Sequence, residues 1–140
     1  MIEMIYVSKA SSRFTEKELK ELLAKARTNN TKTGLTGLLL YDGQGTFIQV
    51  LEGEESVIEA LFKTIKNDKR HSRVNVLWRK DIEERGFPDW KMGYQNILDM
   101  DTSTIMGFSD FLQQDKNHDY VLTNPGFVLN MLNHFKSKHQ

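Results

Sequence analysis

The chain has 140 residues, enough for one domain, and its 19 basic side chains balance 19 acidic ones for a formal net charge of zero. It contains no cysteine, which excludes disulfides, thiolate nucleophiles, zinc–thiolate fingers and iron–sulfur clusters. The charge balance argues against a clamp for nucleic-acid phosphates, and no apolar run approaches the roughly 20 residues of a membrane-spanning helix.

Met1-Ile2-Glu3-Met4 has no basic n-region, so a cytoplasmic chain without a secretory leader is expected. Ile2 to Ser8 is short and rich in Ile, Val and Tyr, which is a strand pattern. Thr15-Glu16-Lys17-Glu18 then reads as a capping box, followed by Leu19, Leu22, Leu23 and Ala26 at helical spacing. Gly34 closes the connection, and Leu35 to Tyr41 is a second strand. Asp42-Gly43-Gln44-Gly45 is a hairpin signal leading into a third strand, Thr46 to Glu52. Val57, Ile58, Leu61, Phe62 and Ile65 form one stripe of a second helix. Val74 to Ile82 is a fourth strand, Phe87-Pro88-Asp89-Trp90 a bend, and Met92 to Ile97 a short fifth strand.

The order βαββαβ predicts an α+β fold, a ferredoxin-like sheet with a fifth strand and both helices on one face. Period-two alternation puts Met4, Tyr6 and Ser8 on one side of the first strand and Ile5 and Val7 on the other. Phe47, Gln49 and Leu51 oppose Ile48 and Val50 in the same way. Both faces are therefore apolar, and two helices cover only one. The tail supplies candidates for the other: Ile105, Phe108 and Leu112, then Asn124-Pro125 as a helix start before Phe127, Val128, Met131, Leu132 and Phe135. A domain over 1–97 is expected, with a helical hairpin over 98–140 packed on the second face or at an oligomer interface.

Enzyme motifs are scarce. There is no GxSxG elbow, phosphate loop, GxGxxG or HExxH, and His71, His118, His134 and His139 lack metal-ligand spacing. No metal is expected. Polar groups instead sit on the helix side of the two strands expected to be central. Tyr6 and Gln49 project toward the gap between the helices, and Asn29 and Asn30 close the first helix. A lone core glutamine satisfied by backbone, and asparagines leading to a glycine cap, are the plainer readings of each. Together they furnish a slot, lined by Leu22, Leu23 and Ile65, that suits a planar heteroaromatic ligand with imide edges.

Tyr6, Asn29-Asn30, Gly34-Leu35-Thr36-Gly37-Leu38-Leu39 and Phe47-Ile48-Gln49-Val50-Leu51-Glu52-Gly53 are joined by Asp68-Lys69-Arg70-His71 and Trp90-Lys91-Met92. This set, over about residues 1–97, resembles the BLUF family of flavin-binding blue-light sensors. The resemblance implies FAD as cofactor, with FMN and riboflavin left open, and a non-enzymatic role. It implies that Tyr6 donates an electron and then a proton to the excited flavin, and that Gln49 bridges Tyr6 to the N5 and C4 carbonyl edge. Asn30 would hold the O4/N3 edge and Asn29 the other carbonyl. Arg70, His71 and, more weakly, Arg27 would lie toward the ribityl chain and phosphate, although a basic residue after a helix also suits the helix dipole. Leu22 and Ile65 would flank the ring, while Met92 and Trp90 would couple the site to the fifth strand and tail. Lys91, where many members carry a small polar residue, and Leu22, where a β-branched one is common, depart from the pattern. The implied output is altered contact with a downstream protein partner, by a homo-oligomer that binds neither nucleic acid nor membrane. A small flavin-dependent or acylphosphatase-like enzyme on the same sheet is the alternative.

Overall fold

The computed structural model describes residues 1–11, 14–43, 45–96 and 132–133. Its elements are β1 (Ile2–Ala10), α1 (Glu16–Thr33), β2 (Thr36–Tyr41), β3 (Thr46–Gly53), α2 (Glu55–Lys66), β4 (His71–Asp81) and β5 (Gly93–Asn96). The strands form one sheet in the order β4-β1-β3-β2-β5. The first four make the antiparallel ferredoxin-like core, and β5 joins the outer edge of β2 in parallel. The expected α+β architecture is therefore present, with β1 and β3 central.

Local signals place the elements. The Thr15 hydroxyl accepts from the Glu18 N–H at 3.1 Å, and the Glu18 carboxylate accepts from the Thr15 N–H at 3.1 Å. Gly34 ends α1 in the left-handed region at φ 76°, its N–H donating to the Asn30 carbonyl at 2.9 Å. In the β2–β3 connection the Asp42 carboxylate accepts from the Gly45 and Thr46 N–H groups at 2.8 and 2.9 Å.

Two strands run longer than the sequence suggests. β1 continues to Ala10, and β4 begins at His71 rather than Val74, because Ala10 pairs with His71 and Lys9 with Ser72. The register shifts between Val7 and Lys9, opposite a stretch where Arg73 has φ 49°. That irregularity breaks the alternation that marks a strand and hides the early start of β4.

The core beneath α1 and α2 joins Leu19, Leu23 and Ile58 to Met4, Tyr6, Leu39, Phe47 and Leu51 of the sheet. On the opposite face, Ile5, Val7, Leu38, Leu40, Ile48 and Val50 are also buried. Leu132, helical and buried, is described with Asn133; otherwise the hairpin expected over 98–140 lies outside the described residues.

Candidate functional site

A cleft opens between α1, α2 and the β1–β3 face. Tyr6, Gln49 and Met92 stand on its floor side with Leu39. Leu22, Asn29 and Asn30 come from α1, Ile65 from α2, and Arg70 and His71 from the start of β4. With Leu23, also on the wall, the structure thus brings together ten of the twelve residues singled out in the sequence. Arg27 and Trp90 do not line the cleft.

Tyr6 and Gln49 face each other directly across the β1–β3 ladder. Tyr6 is buried, with the Phe62 ring edge-on at 5.7 Å, and burial pushes its phenol above the ordinary tyrosine range. Among the described residues its hydroxyl has no hydrogen-bond partner. Gln49 is 8% exposed and donates from Nε2 to the Met92 Sδ at 3.4 Å. Thioether sulfur is a weak acceptor, and the glutamine carbonyl has no donor among the described residues. Asn30 is buried, and its Nδ2 donates to the Lys91 carbonyl, leaving the amide oxygen without a donor among the same residues.

The mouth is polar. Arg70 grips the Asp68 carboxylate through Nη2 at 2.7 Å and Nε at 3.1 Å, and this pairing lowers the Asp68 pKa to about 2. His71 Nδ1 lies 3.4 Å from the Ser8 hydroxyl, and its ring stacks on Phe14 and meets Phe47 edge-on. Burial lowers its pKa, an effect that Asp68 opposes.

Sequence reasoning missed Ser8, Lys25, Thr64 and Phe47 as parts of the wall. Spacing could have found them. Leu22, Lys25, Ala26, Asn29 and Asn30 share one helical strip, Thr64 adjoins Ile65, and Ser8 and Phe47 lie two residues from Tyr6 and Gln49 on the same face.

Trp90 packs elsewhere, stacked on Phe87 at 5.4 Å between centroids. A Cβ on Gly93 would fall 2.2 Å from the Trp90 ring, so glycine there admits the indole.

Residues 1–93 match a family model described as BLUF, sensors of blue-light using FAD. The chain belongs to the BLUF family. Photoactivated adenylate cyclase subunit alpha of Euglena gracilis is 32% identical over 104 residues, covering 74% of this BLUF chain and 9% of that protein. The BlsA ground-state structure superposes with a TM-score of 0.75 at 30% identity, covering 94% of this chain and 86% of the other. BlrB, a BLUF protein in its dark state, gives 0.79 at 24% identity over 98% and 96%, a likeness of fold alone. The chain spans about a tenth of the length of the curated cyclases it matches. As a BLUF domain it is a sensory module rather than a catalyst. Among the described residues no helix is long and apolar enough to cross a membrane.

Proposed function

We propose that this BLUF chain senses blue light through oxidised flavin held between α1 and α2, and reports it by rearranging the hydrogen bonds of Gln49. One observation carries the reading: Tyr6 and Gln49 are direct cross-strand partners on the cleft wall, and both retain unused hydrogen-bonding capacity among the described residues. The cleft chemistry fits the flavin ring. Leu22, Leu23 and Ile65 offer apolar flanks, while Asn30 and Gln49 offer amide edges to an imide. Asn29 would hold the second carbonyl, and Lys25, Arg70 and His71, which line the same cleft, would hold the ribityl chain and phosphate.

Bound flavin supplies blue absorption and, when excited, an acceptor for one electron and one proton. Tyr6 is the residue that would give up both and take both back. The phenol suits this because burial keeps it protonated in the resting protein. Gln49 retains the record, since its amide has a donor end and an acceptor end of nearly equal shape. Exchanging those ends would turn a different group toward Met92, and toward the flavin edge when it is bound. FAD is the cofactor that the family description names; FMN and riboflavin share the ring that these residues address.

The output is a changed contact with a protein partner or a second copy of the chain. A two-state sensor can shift such a contact only if the two states touch the partner differently. An absorption spectrum taken in the dark, under blue light and during recovery tests the reading. A bound-flavin spectrum that moves slightly red and returns is expected. A preparation that refuses FAD, FMN and riboflavin alike would overturn it.

A further inference from the structure

Arg27 is exposed on α1 and stands outside the cleft, yet its Nε donates to the Met92 carbonyl at 3.0 Å. The preceding carbonyls are also held. Asn30 Nδ2 donates to that of Lys91, and the Gly37 N–H donates to that of Trp90 at 2.9 Å. Three successive carbonyls, 90 to 92, are thus pinned by α1 and β2. Arg27 and Asn30 lie three residues apart, so the two helix contacts stack on one strip. Asn30 also lines the cleft, which joins the pinned segment to the site.

The consequence falls on Gln49. Its Nε2 bonds the Met92 sulfur, a weak acceptor at the end of a flexible, unbranched side chain. Such a contact holds a fixed geometry only where the backbone beneath it is fixed. We propose that Arg27 is a positioning residue that locks Met92 against the Gln49 amide, and not a ligand for the flavin phosphate. The proposal rests on the photoreceptor reading above and names a residue that regulates the same site.

Two full-length variants separate the roles. Arg27→Gln places an N–H donor the same number of bonds from the backbone as the arginine Nε, and discards the charge. Arg27→Met keeps the length and discards both donor and charge. Recovery from the light-shifted spectrum is followed in each, together with binding of flavin mononucleotide and riboflavin. Losing the lock removes support from the dark arrangement. Arg27→Met is therefore expected to recover more slowly, by roughly threefold to tenfold for one charge-assisted hydrogen bond. Arg27→Gln recovers at close to the parent rate, and neither variant changes the ratio of the two flavin affinities.

Parental recovery in Arg27→Met overturns the lock while leaving the photoreceptor reading intact. A loss of preference for flavin mononucleotide in both variants, with unchanged recovery, assigns Arg27 to the phosphate and overturns it as well. A parent protein with no light-dependent shift overturns the photoreceptor reading and the proposal with it.

Discussion

Tyr6 concentrates the physical logic of the site in one side chain. Its side chain is buried and its hydroxyl, on the cleft wall, has no partner among the described residues, so deletion of that oxygen removes no hydrogen bond among them. Tyr6→Phe is expected to fold within about 1 kcal/mol of the parent at neutral pH and to bind flavin, while losing the light-induced shift. Gln49→Ala keeps the flavin and loses the shift too; difference spectra of both variants under blue light check this. The raised phenol pKa adds a stability signature. Below about pH 10 the folded and unfolded chains both hold the Tyr6 proton, and nothing changes. Above it the unfolded chain releases the proton and the folded chain keeps it. Stability then falls as pH rises, by up to about 1.4 kcal/mol per pH unit. Tyr6→Phe lacks this contribution, so urea midpoints of parent and variant should diverge in favour of the variant as pH rises above about 10. Equal slopes would show that the phenol is not buried. Tyr6, Gln49 and Asn30 were legible because alternation along a strand and the end of a helix fix their faces. Arg27 was not. It lies five residues beyond Leu22, roughly 140° around the helix from that side chain, and its partner Met92 is distant in sequence.

At the level of elements, the stretch between β4 and β5 depends on one buried carboxylate. Glu52, at the end of β3 and fully buried, accepts from the Thr36 hydroxyl at 3.2 Å and from the Gly86 and Phe87 N–H groups at 2.5 and 2.9 Å. Arg85 Nη1 adds bonds to the Thr36 hydroxyl at 2.7 Å and to the Glu52 carbonyl at 2.9 Å. This cluster ties the ends of β2 and β3 to the segment that carries Phe87, Trp90 and Met92. Glu52→Ala strands two backbone donors and is expected to cost roughly 3 kcal/mol, with Glu52→Gln less damaging. Urea unfolding reads the loss, and faster hydrogen exchange at Gly86 and Phe87 localises it. The order of strands and helices was legible because caps, turn residues and hydrophobic periods agree. The Glu52 cluster was hidden, since its backbone partners Gly86 and Phe87 are distant in sequence and no local pattern links them. The early start of β4 was hidden as well, because pairing with β1, rather than local pattern, makes His71 a strand residue beside Ser8.

For the molecule as a whole, the face away from α1 and α2 decides how a change at Gln49 travels. Ile5, Val7, Leu38, Leu40, Ile48 and Val50 are each at most 1% exposed, and Trp78, paired with Ile5, buries an indole N–H without an acceptor among the described residues. Burying one such aliphatic side chain is worth about 1.5–3 kcal/mol, so six together rival the roughly 5–15 kcal/mol by which a domain is stable. We propose that residues 98–140 carry the cover, as the apolar stripes at Ile105, Phe108 and Leu112 and from Phe127 to Phe135 suggest. A chain of residues 1–97 alone is then expected to self-associate or to lose cooperative unfolding, as read by sedimentation and by binding of an apolar dye. A monomeric fragment with parental stability would place the cover elsewhere. The same strands connect this face to the site. Gln49 is flanked in β3 by Ile48 and Val50, and Tyr6 in β1 by Ile5 and Val7, so both side chains adjoin residues of the face that the proposed cover would meet. A hydrogen-bond exchange at Gln49 that shifts β3 would also shift that opposite face, and with it a tail packed there. Blue light should therefore change the rate at which a protease cleaves between residues 98 and 140 in the parent. Gln49→Ala should leave that rate indifferent to light.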